Sequence, residues 1–244
     1  MLHLFHKLRI FIVTTSCLGL VSITAYPRSS LAQEGRRPPF CIGNPPTGYV
    51  KCNYEGGDNY EGNLVDGLPN GQGIYVYSNR DRYEGAFLNG LPHGQGTFIF
   101  ADGGRVSGTF RDGNISSGTV TFPNGDRYQG EFRLVRNVES NVVSSQPFGR
   151  GTFTYTNGDR FEGDFFAGTP FGPGLLIRRD GTRCEGRFFN QSLDAKATCR
   201  YPDGSSYVGE LREGLPDGLG VLVAPNGQRY SGRFEAGQPA VAKD

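Results

Sequence analysis

Residues 82–96 read RYEGAFLNGLPHGQG, with four glycines, one histidine and the charged pair Arg82 and Glu84. Alone, the stretch fits a glycine-rich phosphate cradle, a catalytic loop or a structural turn. Its recurrence decides among them. Tripeptides of the form YEG begin at Tyr60, Tyr83, Val106, Tyr128, Phe161, Cys184, Tyr207 and Tyr230, with spacings of 23, 23, 22, 33, 23, 23 and 23 residues. Seven repeats and a terminal half repeat therefore fill residues 60–244. Such self-similarity marks a repeat architecture.

Composition points to β-structure. The 244-residue chain has 38 glycines, against a usual share of about 7%, and 18 Phe and 12 Tyr beside one Met and no Trp. Aromatic, glycine-rich chains with many turn residues favour strands over helices. Within a unit, two alternating segments, YEGAF and GTFIF in the second repeat, predict two short strands. NGLPHG between them and ADGG or PNGD after them supply turn residues. Each unit reads as a β-hairpin, and hairpins must pair side by side because one alone is marginal in water.

The unit, aromatic-Glu-Gly-x-Phe-x-x-Gly-x-x-x-Gly-x-Gly followed by an alternating apolar run, resembles the MORN repeat, whose consensus has the form YEGxxxxGxxxGxGxxxxxxG. Repeats one, two, five and seven fit it closely; repeats three, four and six depart from it. The expected fold is all-β: an elongated, twisted, single antiparallel sheet of about seven hairpins, curved like a trough. At about 4.8 Å per strand, seven units span roughly 70 Å. Tyr83, Gly85 and Phe87 share one face, Arg82 and Glu84 the other. Glycine between two aromatics leaves room for a ring to lie over the backbone. A stacked column then runs through Tyr60, Tyr83, Phe87, Phe98, Tyr128, Phe132, Phe161, Phe165 and Tyr207, which are the expected groove-lining binding residues.

The ends differ. Residues 1–32 read as a secretory signal peptide. Lys7 and Arg9 precede an apolar stretch at residues 10–25, shorter than the ~20 residues a spanning helix needs. Ser30 and Ala32 occupy the −3 and −1 positions of a cleavage site. The alternatives are an uncleaved anchor and, disfavoured by Thr14, a lipoprotein signal at Cys17. Without Lys7, Arg9 and Arg28 the 25 basic residues become 22 against 24 acidic ones, a formal charge of −2. No basic tract suggests nucleic acid. Residues 33–59 read as a capping segment in which Cys41 staples a coil onto an edge strand holding Cys52 and Tyr54. Unpaired sheet edges invite pairing with a second copy.

Cys41, Cys52, Cys184 and Cys199 fall into two local pairs, which in an exported chain read as disulfides 41–52 and 184–199. Free thiols and zinc are the alternatives, and zinc lacks C-x-x-C spacing. Repeat six exchanges two aromatics for Cys184 and Cys199, placed diagonally on one side of the hairpin, and replaces its loop glycines by NQSLDAKATC. Repeat four carries about ten extra residues near 137–146, either a tolerated loop or a partner-contacting protrusion.

Arg82, Arg105, Arg127, Arg160, Arg183 and Arg229 end most units, with Glu84, Glu162 and Glu185 two residues on. They read as a solvated ladder neutralised further by Asp81, Asp126 and Asp159. His93, the only histidine after residue 32, reads as a surface turn residue. No glycine run continues into Lys-Ser/Thr at a helix start, so a P-loop is excluded. No cofactor or metal is expected. The MORN resemblance implies protein–protein contact, dimerisation and lipid contact. The expected function is a non-enzymatic protein-binding scaffold of the cell envelope. The alternatives are binding to lipid headgroups and an envelope hydrolase built on groove carboxylates.

Overall fold

The computed structural model describes residues 23–24, 40–42, 46–54, 56–137, 141 and 143–240. Apart from Ile23–Thr24, the expected signal peptide and its cleavage site at Ala32 lie outside the described residues. No helix occurs among the described residues, and none is long and apolar enough to cross a membrane. The strands form one antiparallel sheet, and from residue 40 onward strands adjacent in sequence are adjacent in the sheet. The described residues fall into two compact units, meeting in sequence at Gln146 and Pro147.

The first unit contains β1 (Ile23–Thr24), β2 (Phe40–Ile42), β3 (Gly48–Asn53), β4 (Asn59–Val65), β5 (Leu68–Val76), β6 (Arg82–Leu88), β7 (Leu91–Ile99), β8 (Arg105–Arg111), β9 (Asn114–Thr121) and β10 (Arg127–Arg136). β11 (Val143–Thr154) begins in it, and β1 pairs there, Ile23 opposite Ser145. The second unit continues from Pro147 with β12 (Arg160–Phe166), β13 (Thr169–Ile177), β14 (Arg183–Phe188), β15 (Ala195–Arg200), β16 (Ser206–Arg212), β17 (Leu215–Val223), β18 (Arg229–Glu235) and β19 (Gln238–Pro239).

The hairpin tip is tighter than NGLPHG suggests. Asn89 and Gly90, with φ of 51° and 81°, form a two-residue turn of the I′ kind, whose twist matches the flanking strands. Leu91 already starts β7, so Pro92, His93 and Gly94 are strand residues. Asp66–Gly67, Asp112–Gly113, Ala167–Gly168, Glu213–Gly214 and Ala236–Gly237 repeat the two positive φ angles.

The remaining glycines have another reason. Gly85 pairs with Gly96, and this pairing continues strand by strand through Gly62, Gly73, Gly85, Gly96, Gly108, Gly118 and Gly130 in the first unit. In the second unit it runs through Gly151, Gly163, Gly174 and Gly186, then Ala197, then Gly209, Gly220 and Gly232. The Tyr83 ring lies across this row, and a Cβ on Gly96 would collide with it. Ala197 breaks the row in the hairpin where Cys184 replaces the ring, so no ring needs the space.

A bulge accompanies the rings of Tyr60, Tyr83, Phe161 and Tyr207. β6 and β7 lose register between Gly85 and Phe87, and the carbonyl of the bulged Ala86 accepts the Tyr83 hydroxyl at 3.0 Å. Tyr60 donates in the same way to Asn63 at 2.7 Å and Tyr207 to Glu210 at 2.8 Å, both at bulges. Where Val106 has no hydroxyl, the bulged Ser116 donates its own hydroxyl to the Thr109 carbonyl at 3.0 Å. β14 and β15, with Cys184 in place of tyrosine, pair without a bulge. The tyrosine hydroxyls thus satisfy bulge carbonyls where they are present, but the bulge does not depend on them: β12 and β13 keep it beside Phe161, and β8 and β9 beside Val106.

Successive hairpins are clamped twice more. The turn amide of Gly90 donates to the Pro69 carbonyl, and Gly113 to Pro92, each at 2.9 Å. Gly168 to Pro147 and Gly237 to Pro216 repeat this in the second unit. Proline suits a strand position whose own N–H is not needed by the ladder. The Asp81 carboxylate accepts the Ala101 N–H in the next loop at 2.9 Å. Asp58 and Ser78, and Asp159 and Arg179, make the equivalent link. Asp81 and Asp159 are therefore loop caps first, and neutralisers of the arginine row only secondarily.

Repeat four lengthens its hairpin: β10 has 10 residues and β11 has 12. Arg136 donates to Asn141 at 2.6 Å across the insertion; residues 138–140 and 142 lie outside the described residues.

Candidate functional site

Strand alternation gives each hairpin two faces, and the inner one is full. The nine expected groove aromatics, Tyr60, Tyr83, Phe87, Phe98, Tyr128, Phe132, Phe161, Phe165 and Tyr207, are all buried, Tyr83 completely. The tyrosine and first-strand phenylalanine rings meet edge to face, while Phe98 is tilted against Tyr83 and stacked on Tyr77. Tyr83 contacts Phe87 of its own hairpin at 5.0 Å and Phe110 of the next at 5.2 Å, both near 83°. Tyr60 meets Phe87 at 5.5 Å. In the second unit Phe161 meets Phe188 at 4.8 Å and Tyr207 meets Phe234 at 4.9 Å. Each ring thus bridges its own repeat and the following one. Edge-to-face pairs contribute about 0.5–1.5 kcal/mol beyond area burial.

Burial holds these phenols as neutral donors. Desolvation raises Tyr207 to about 12 and Tyr54, where the Asp58 charge adds to it, to about 12. Tyr60, Tyr83 and Tyr128 are pushed higher still by the same desolvation. In Tyr75 the Asp58 carboxylate, which accepts its hydroxyl at 2.8 Å, adds to that effect.

Cys184 and Cys199 form a disulfide. They stand directly opposite in register, not diagonally, at the positions of Tyr83 and Phe98. Cys41 opposes Cys52 in the same way, on strands β2 and β3 rather than on a coil, and Cys52 is disulfide-bonded. Both cysteine pairs replace the cross-strand aromatic pair.

The outer face holds the polar rows. Arg82 pairs with Glu84 at 2.5 Å, and Arg160 pairs with Glu162. Arg150 approaches Asp164 at 3.6 Å. His93 points outward from β7 beside Asp112 at 3.9 Å. Among the described residues no cluster of three or more His, Cys, Asp or Glu side chains is placed to hold a metal.

The same face exposes aromatics that the repeat pattern hides. Phe166 is 59% exposed, Phe171 50% and Phe189 43%. Phe166 lies 5.4 Å from Phe148 and 6.3 Å from Phe171. Phe171 takes the place of His93, and Phe166 and Phe189 that of Leu88. Each is out of phase with the buried residues of its own strand, Phe166 with Phe161 and Phe165, Phe171 with Pro170 and Leu176, and Phe189, just past β14, with Cys184 and Phe188, and that parity is the signal sequence reasoning passed over. Three large exposed rings within one unit form the clearest apolar patch on the outer face.

No curated protein matches the sequence. Among solved structures 43 chains match. The G-box domain of the microcephaly protein CPAP is similar at 16% identity, over 77% of this chain and 87% of that one, with a TM-score of 0.40. The SAS-4 (dCPAP) TCP domain of Drosophila melanogaster, in complex with a proline-rich motif of Ana2 (dSTIL), is similar at 17% identity, over 86% and 96%, with a TM-score of 0.38. The MORN repeat family model matches residues 60–82, 83–105, 141–160, 161–183 and 207–229. The unmatched stretches contain repeats three and six, where Val106 and Cys184 replace the ring. With five matched units and the hairpin architecture between and around them, this chain is a MORN-repeat protein.

Proposed function

We propose that this chain is a non-enzymatic protein-binding scaffold of the cell envelope whose contact surface is the outer face of the second unit. The observation that carries the reading is the exposed set Phe166, Phe171 and Phe189 on a sheet whose inner aromatics are already packed. Solvent-facing rings gathered on a rigid sheet mark interaction sites. The inner rings, Tyr83 and Phe161 among them, act by fixing the hairpins that present this face. Disulfide-bonded Cys184, Cys199 and Cys52 support an oxidising, exported location.

The test is cross-linking and co-purification from the envelope fraction of the producing cell. Wild type is compared with the triple variant Phe166→Ser, Phe171→Ser, Phe189→Ser. All three side chains are exposed, so the fold is expected to persist. Loss of the wild-type partner set in the variant is the expected result. An unchanged partner set overturns the reading, as does sedimentation of both proteins with anionic liposomes in place of any protein partner.

A further inference from the structure

The hairpin β14–β15 departs from its neighbours on both faces. On the outer face Arg183 stands directly opposite Arg200, and Arg187 directly opposite Lys196, with Glu185 opposite Thr198 between them. Like charges facing each other across strands are destabilising. The other hairpins avoid this: Arg82 faces Ile99 and Arg160 faces Ile177. All four cations of β14–β15 are exposed, and none has an ion-pair partner among the described residues. They sit in a chain whose formal charge is only +1, so general basicity does not explain them.

On the inner face the same hairpin carries the disulfide between Cys184 and Cys199, the residues next to Arg183 and Arg200. The covalent link keeps the two cation-bearing strands together against their repulsion. The missing bulge leaves β14 and β15 in continuous register from Arg183 to Phe188. The two cation pairs are therefore four residues apart, about 13 Å along the strand. Two residues beyond Arg187 on the same side comes Phe189. Beside it, one step past the Gly172–Phe188 pair, stands Phe171.

We infer that this strip docks an extended acidic segment of a partner protein, a refinement that rests on the protein-binding reading above. An extended chain has the same rise as β14. Acidic residues at i and i+4 would each meet one cation pair, and an apolar residue at i+6 would meet Phe189 and Phe171. Glu185 selects for a neutral residue between the acids. A continuous anionic surface would be repelled at Glu185 and has no use for the fixed spacing.

The probe is a fluorescent peptide, Asp-Thr-Ser-Thr-Asp-Thr-Phe, titrated with the full-length chain at low ionic strength and read by anisotropy. Saturable binding that weakens with added salt is expected. It should fall at least tenfold in Arg183→Thr/Arg200→Thr and in Arg187→Thr/Lys196→Thr. A peptide of the same composition with adjacent aspartates should bind several-fold more weakly. Both double variants remove like-charge contacts, and Lys196→Thr also gives up its cross-strand neighbour Glu210; their unfolding midpoints should stay close to or above wild type, which separates lost binding from lost fold. Absence of saturable binding, equal binding of the two peptides, or undiminished binding in the variants overturns the inference. So does binding to phosphatidylglycerol vesicles, lost in the variants, without peptide binding. If the arginine variants keep the native partner set while the phenylalanine variant loses it, the strip fails and the broader reading stands.

Discussion

Replacing Tyr83 by Ala is expected to destabilise the protein by about 3–5 kcal/mol, whereas Tyr83→Phe costs about 1 kcal/mol. The ring is fully buried, lies over the Gly85–Gly96 pair, and touches both Phe87 and Phe110. Alanine empties the space between two repeats at once. Phenylalanine keeps those contacts and loses only the hydroxyl bond to Ala86. Phe161 shows that the array accommodates a ring without hydroxyl, still edge to face with Phe188. Urea denaturation of the full-length variants, followed by circular dichroism, measures both. If the alanine variant lies within 1 kcal/mol of wild type, Tyr83 does not couple the repeats.

Replacing both Cys184 and Cys199 by Ala is expected to cost about 3 kcal/mol, the loop-closure contribution for a span near 15 residues. Two features add to it. Alanine leaves the aromatic positions of this hairpin empty, and the Arg183–Arg200 repulsion is no longer restrained by a covalent link. The signature is a lowered unfolding midpoint that recovers in part at high salt, where screening weakens the repulsion. An unchanged midpoint, or one insensitive to salt, would show that the disulfide does not hold the cationic hairpin.

The sequence made the repeat legible because each unit obeys the same steric rule. A ring three residues before a bulge needs glycine beneath it on two strands, so aromatic and glycine recur at fixed spacing. The tip was less legible. Asn89–Gly90 and the strand glycines Gly94 and Gly96 look alike in sequence, although φ angles demand the first and ring clearance the last. His93 accordingly lies on a strand, not in a turn. Side-chain parity was legible in repeat two and sufficed to place Tyr83, Phe87 and Phe98. It was not extended to Phe166, Phe171 and Phe189, each of which alternates out of phase with the buried residues of its own strand. Register was the hardest to read: whether Cys184 and Cys199 are opposite or diagonal depends on a bulge, and β14–β15 lacks one while the hairpins of Val106 and Phe161, equally without a tyrosine, keep it.

The account turns on whether the inner aromatics are sealed, leaving the outer face for contact. Alkaline titration followed at 295 nm, with circular dichroism recorded in parallel, tests this most directly. Phenols whose folded pKa is raised favour the native state fully below the unfolded value near 10 and lose that contribution as pH climbs toward the folded value. For Tyr207 that window runs to about 12, and for Tyr60, Tyr83 and Tyr128 further. The predicted result is that exposed tyrosines ionise first, and that the phenolate signal of these four appears only together with loss of the folded dichroism. Ionisation of all tyrosines near pH 10 with the folded signal intact would contradict it, and would mean an open aromatic groove.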